Sequence, residues 1–405
     1  MPSPHHRPGE LMRRASGILV VCAFLGTAGA GAQSREIIGY YPSWKVRDTS
    51  GAMTPDKIPF NALTIINYAF HYPLPNGTVV GRDTHGDSVI LLGLYAAGRP
   101  GSPLAELAHR HGVRVMLSIG GWEDSGNFPA VAASEAGRTR FAHSCNEFIR
   151  RFDFDGIDID WEFPGYSGHG GTPADKENFT LLLQELRDSL DILGATAGRR
   201  LLLTAALPAG GEHAAGIDIG RVAGILDILN IMTYDFYGPW DERANHNAPL
   251  YPGDGGEPGR SVHGAFLLYT QTYHVPPSKL TIGVPLYGHT YAGCTALNAE
   301  HGGADTVHFP RQGAFYNIIR GHMGHFARVW DDRAKVPYLV STDWNMLVSY
   351  DDEESVRWKS AYAVERGVRG LILWEITADL MADGSHPLLD VIHKTLFPSP
   401  GDRTR

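Results

Sequence analysis

Short apolar runs alternate along this chain with longer amphipathic stretches. Eight of the runs read as strands: EIIGYY (36–41), LTIINYAF (63–70), VRVMLSIGG (113–121), FDGIDIDWEF (154–163), RLLLTAALP (200–208), LDILNIMTYD (226–235), KLTIGVPLYG (279–288) and VRGLILWEI (368–376). They are brief and rich in β-branched and aromatic residues, which fit a pleated surface. The stretches AGRTRFAHSCNEFIRRF (136–152), KENFTLLLQELRDSLDILG (176–194) and EESVRWKSAYAVERG (353–367) carry a helical period instead. In the second, Phe179, Leu182, Leu183, Leu186, Leu190 and Leu193 share one face. In the third, Gly367 supplies a stop signal.

Strands that alternate with helices imply a parallel sheet with crossover connections. Eight such units predict an α/β fold, a (β/α)8 TIM barrel over residues 33–397; a doubly wound open sheet is the alternative. One interval, 289–345, is too long for a simple crossover. It is expected to form a small α+β insertion between strand 7 and strand 8. Residues 398–405 remain as a C-terminal tail.

Residues 1–32 depart from this pattern. Arg13 and Arg14 precede the apolar run GILVVCAFLG, which ends in TAGAGA. That is the layout of a secretory signal peptide, with cleavage expected near Ala32. The protein is therefore expected to be secreted: extracellular, or periplasmic in a bacterium. Cleavage removes three arginines and one glutamate and takes the net charge from −9 to −11. An acidic protein is a poor partner for nucleic acid or an anionic membrane. No nucleic acid and, after cleavage, no membrane is expected as a partner, and the chain is expected to be a monomer. Cys22 leaves with the signal; Cys145 and Cys294 stay, and nothing in the spacing says whether they pair. No C-x-x-C or H-E-x-x-H motif occurs, so no metal or other cofactor is expected.

The chemistry stands on the fourth run. Successive strand residues point to opposite faces, so Asp158, Asp160 and Glu162 share one face and Ile157, Ile159 and Trp161 the other. In a barrel, one face looks inward and the other meets the helices. The apolar set suits the helices, which sends three carboxyl groups into the barrel. Buried neighbouring acids raise one another's pKa, so at least one is expected to be protonated. Such clusters mark functional sites, and the active site of a barrel lies at the C-terminal strand ends. Those ends also carry Tyr40, Phe70, Trp122, Met232, Tyr234, Asp235, Tyr287 and Trp374, with Trp240 just beyond. Aromatic faces with a few acids and hydroxyls suit a sugar ring. Most glycosidases place two acids on opposite sides of the bond; a cluster on one strand fits the exception in which the sugar's own 2-acetamido group attacks.

These residues resemble glycoside hydrolase family 18, the chitinase family. DGIDIDWEFPG (155–165) is similar to that family's D-G-x-D-x-D-W-E signature, and SIGG (118–121) to its S-x-G-G. MTYDFYGPW (232–240), NHNAPLY (245–251), GVPLYG (283–288), SYDDEESV (349–356) and GLILWEI (370–376) resemble later segments in the same order. The resemblance implies a secreted chitinase, endo-acting, that hydrolyses β-1,4-linked N-acetylglucosamine in chitin or chitooligosaccharides with retention. It implies Glu162 as general acid and then base, Asp160 as the group that orients the acetamide, Asp158 as the group that shares a proton with Asp160, and Tyr234 as a donor to the acetamide carbonyl. Trp374 would floor the cleft; Tyr40, Phe70, Trp122, Met232, Asp235, Trp240 and Tyr287 would line it. Residues 289–345 resemble the insertion domain of one subgroup. One departure stands out: His289 occupies a position where many relatives carry arginine. Two other functions remain open at this level, an endo-β-N-acetylglucosaminidase acting on N-glycan cores and a carbohydrate-binding protein without turnover.

Overall fold

The computed structural model describes residues 35–47, 53–94, 101–310 and 314–399. Residues 1–32, where a signal peptide is expected, and residues 400–405 lie outside them. All eight apolar runs form strands. In chain order the strands are β1 (Glu36–Pro42), β2 (Ile65–Pro73), β3 (Val79–Gly81), β4 (Arg114–Gly120), β5 (Gly156–Asp160), β6 (Leu202–Pro208), β7 (Ile228–Met232), β8 (Leu280–Pro285), β9 (Tyr287–Ala292), β10 (Ala314–Phe315), β11 (Ala327–Asp331), β12 (Val336–Ser341), β13 (Met346–Ser349) and β14 (Gly370–Trp374). The order β1-β14-β8-β7-β6-β5-β4-β2 is parallel throughout, and β1 pairs with β2 to close it. This is the (β/α)8 barrel, and β3 folds back on β2 as a short antiparallel addition.

The helices lie where the period placed them, at Glu135–Phe152, Asp175–Ala197 and Glu353–Glu365. All six apolar residues named on the second are buried. The third starts at a capping box between Asp352 and Ser355 and ends before Gly367, whose φ of 66° is the left-handed conformation that favours glycine. Between β8 and β14 stands a five-stranded antiparallel sheet, ordered β10-β9-β13-β12-β11, with the helix Tyr316–His322 beside it. This is the α+β insertion. It is fastened to the barrel by the segment NHN: His246 Nε2 lies 3.0 Å from Asp331 Oδ2, and the Asn247 backbone N–H donates to Ser349 Oγ at 2.7 Å.

The apolar residues form two layers. The larger lies between sheet and helices and includes Ile157, Ile159 and Trp161. Trp161 stacks on Phe128 at 5.2 Å between ring centroids and meets Phe179 edge-on at 5.6 Å. The smaller fills the barrel interior and its mouth, with Ile38, Tyr40, Ile65, Phe70, Met116, Met232 and Ile372. β5 is buried on both faces, so its acids enter the barrel because its apolar side chains already occupy the helix side. Cys145 and Cys294 are both buried and free.

Candidate active site

Asp158 sits deepest, fully buried. Its Oδ2 accepts from Tyr40 Oη and Ser118 Oγ, both at 2.8 Å. Its Oδ1 accepts from Thr204 Oγ1 at 2.5 Å and Asn230 Nδ2 at 3.2 Å. Asn230 is oriented by Thr281, whose hydroxyl donates to Asn230 Oδ1 at 2.8 Å. Burial pushes the Asp158 pKa up, and the four donors pull against it. Asp160, one step nearer the mouth, lacks such support. Its Oδ1 is buried without a hydrogen-bond partner. Burial, then the charges of Glu162 and Asp158, hold its pKa well above the usual carboxylate range. Like charges in low dielectric cannot both ionise cheaply. The donor set therefore favours the charge on Asp158 over a charge on Asp160.

Glu162 follows the strand at the mouth. Burial and then the charge of Asp235 raise its carboxyl to about 8, against the pull of the Trp122 backbone N–H. A carboxyl that stays protonated to that pH can act as a general acid near neutrality. The S-x-G-G segment acquires a physical reason here. Gly120 and Gly121 have φ of 119° and 88°. A Cβ on Gly120 would fall 2.1 Å from the Asp160 carbonyl oxygen, and one on Gly121 2.6 Å from the Phe70 ring. Only glycine lets the third barrel strand turn outward this close to the acids.

The aromatics divide into a floor and rims. Trp374 stacks on Phe70 at 5.5 Å and tilts against Tyr40 at 5.4 Å. The residue after it, Glu375, is buried and takes Lys45 Nζ at 3.4 Å and Thr377 Oγ1 at 2.8 Å, which pins the end of β14. Met232 and Tyr234 pack with the same cluster. Burial, then the charges of Asp160 and Glu162, raise the Tyr234 hydroxyl well above its usual range, so it remains a donor. Trp122, which starts the 3-10 helix Trp122–Asn127, and Trp240, on a separate loop, are 48% and 63% exposed. Asp235 has φ 56° and donates its backbone N–H to Asn247 Oδ1 at 2.8 Å. Its Oδ1 accepts from Tyr287 Oη at 2.6 Å and lies 2.8 Å from His289 Nε2. The His289 ring in turn meets Trp240 edge-on at 5.0 Å. The residue that departs from the family pattern thus still joins the rim, through Asp235.

All twelve residues singled out from the sequence lie at or beside the C-terminal strand ends. Thr204, Asn230, Thr281, Ser125 and Asn247 escaped that reading. Thr204 and Asn230 carried a signal: each is the polar residue inside an apolar run, in phase with the inward face. Ser125 lies in the short 3-10 helix Trp122–Asn127 and Asn247 in a loop, and neither carried one.

The family model described as "Glycosyl hydrolases family 18" matches residues 36–379. The chain is 34% identical to Chitinase A1 of Niallia circulans, over 86% of this chain and 57% of that protein. It is 33% identical to Chitotriosidase-1 of Mus musculus, over 72% of this chain and 65% of that protein. The chain thus spans less than two thirds of the length of either. Among solved structures, the Group IV chitinase of Ostrinia furnacalis in complex with allosamidin superposes with a TM-score of 0.80 at 29% identity, over 90% of this chain and 99% of that one. The fold, the acid ladder and these likenesses agree, and the chain belongs to glycosyl hydrolase family 18.

Proposed function

We propose that the protein is a secreted, endo-acting chitinase that hydrolyses β-1,4-linked N-acetylglucosamine with retention, assisted by the substrate's own 2-acetamido group. One observation carries this reading. Three carboxyls rise along a single strand face, and their surroundings differ: Asp158 accepts from four donors, Asp160 Oδ1 is buried without a partner and its pKa is held well above the usual range, and the acid at the mouth is raised to about 8.

Glu162, protonated, gives its proton to the glycosidic oxygen as the bond to the anomeric carbon breaks. The acetamide oxygen attacks that carbon from the other side and closes an oxazolinium ring. Asp160 orients the acetamide N–H and stabilises the charge that develops there, and Asp158 supplies the fixed negative charge beneath it. Tyr234 donates to the acetamide oxygen. Water then attacks the anomeric carbon, with the Glu162 carboxylate as base, and two inversions leave the configuration retained. Phe70 and Tyr40 hold the Trp374 floor under the distorted sugar, while Met232, Asp235, Tyr287, Trp122 and Trp240 line the cleft. Residues 1–32 act as the signal for export, 289–345 deepen the groove wall, and the enzyme works as a monomer without a cofactor.

The test is product analysis from a hexamer of N-acetylglucosamine, with Glu162→Gln beside the native protein and the first anomer read by NMR. Expected are β-anomeric dimers and trimers, reduced about 10²–10⁴-fold in the variant, the usual contribution of a general acid. Hexamer bound but left intact by both proteins would overturn the proposal in favour of a binding protein.

A further inference from the structure

The backbone of Glu162 is held on both sides by side chains outside the acid ladder. Its N–H donates to Ser125 Oγ at 2.8 Å, and its carbonyl oxygen lies 2.6 Å from His169 Nδ1. Ser125 is buried and anchored in turn, its Oγ reaching the carbonyls of Gly121 at 2.9 Å and Asp160 at 3.3 Å. A carbonyl oxygen can only accept, so Nδ1 of His169 carries the proton in that contact.

His169 closes the single helical turn Ser167–His169, just beyond the catalytic strand. The turn is compact: Tyr166 O accepts from the N–H groups of His169 at 3.1 Å and Gly171 at 2.9 Å. The His169 ring meets the Trp122 ring edge-on at 4.7 Å and the Tyr166 ring at 5.3 Å. Trp122 also gives its backbone N–H to the Glu162 carboxyl. One imidazole therefore touches both the carbonyl of the acid and the aromatic residue whose backbone binds the acid's carboxyl.

We propose that His169 is a positioning residue, whose Nδ1–H holds the Glu162 carbonyl and whose ring braces Trp122, together aiming the Glu162 carboxyl at the leaving-group oxygen. The inference rests on Glu162 being the general acid. Its signature is dependence on the leaving group. A sugar departs as an alkoxide and needs the proton; a dinitrophenolate departs without it. A loss of aim is felt by the first substrate only, whereas general damage to the site is felt by both.

The experiment compares His169→Asn, His169→Gln and His169→Ala with the native protein. The substrates are an N-acetylglucosamine tetramer and the 2,4-dinitrophenyl glycoside of the N-acetylglucosamine disaccharide. The quantity read is kcat/KM, which reports the first bond cleavage. Asn places an amide nitrogen where Nδ1 stood, and Gln places one near Nε2. Expected are losses of about 10–100-fold on the tetramer for Ala and Gln, a part of what a general acid supplies. Asn is expected to restore most of this, and the dinitrophenyl glycoside to be cleaved at native efficiency by all three. Parallel losses on both substrates, no losses, or Asn no better than Gln would each overturn the role of His169 and leave the chitinase assignment standing. A native protein that cleaves neither substrate would overturn the assignment, and the inference with it. If the Ala variant fails to fold, the contrast between Asn and Gln decides.

Discussion

Tyr40 and Asp158 are 118 positions apart in the chain and meet at 2.8 Å, hydroxyl to carboxylate, inside the barrel. The bond joins β1 to β5, which are not neighbours in the sheet. It makes the charge at the bottom of the acid ladder depend on closure of the whole barrel.

Replacing Tyr40 with Phe removes one of the four donors that pull the Asp158 pKa down. A hydrogen bond to a charged group is worth about 1.5–3 kcal/mol, or about 10–100-fold in rate if it is lost in the transition state. The expected outcome is a fall of that size in kcat, with the acid limb of the pH–rate profile moved to higher pH because Asp158 now ionises later. An unmoved acid limb would show that the Asp158 charge is not required.

Glu162 has a folded-state pKa of about 8, raised from 4.5. Between those values the folded protein binds this proton and the unfolded chain does not, so stability falls as pH rises across the window. Glu162→Gln removes that penalty. The variant is expected to melt above the native protein at pH 8 and level with it at pH 4. Thermal midpoints at the two pH values check this, and equal midpoints at pH 8 would refute it.

The charge of Asp235 helps to hold the Glu162 proton. Asp235→Asn removes the charge and lowers the Glu162 pKa, so the alkaline limb of kcat/KM is expected to move to lower pH. The reverse direction would mean that Glu162 does not govern that limb.

Lys359 and Asp351 form a fully buried ion pair at 2.6 Å, with Ser355 Oγ on the second carboxylate oxygen at 2.7 Å. Lys359→Met leaves a buried carboxylate unpaired and is expected to cost about 3–5 kcal/mol of stability. The double variant with Asp351→Leu is expected to recover most of it. Denaturant unfolding of the three proteins measures both effects, and a double variant as unstable as the single would sink the argument.

Much of this protein is determined by patterns that a few adjacent residues express. Strand and helix periods are local, so the eight strands, the buried face of the helix at Asp175–Ala197 and the inward parity of Asp158, Asp160 and Glu162 are legible without a structure. The insertion is legible too, because a crossover has a limited length and residues 289–345 exceed it. What differs among the three acids is not local. Thr204, Asn230 and Ser118 reach Asp158 through the registers of β6, β7 and β4, and Tyr40 reaches it across the closed barrel. No such donor reaches the buried Oδ1 of Asp160. His169 and Ser125 take the backbone of Glu162 from short helical segments beyond the barrel strands, which no apolar periodicity announces. The sequence by itself determined where the carboxyls would gather. Only the tertiary structure decided which of them keeps its proton, because burial and hydrogen-bond donors from distant parts of the chain set that balance.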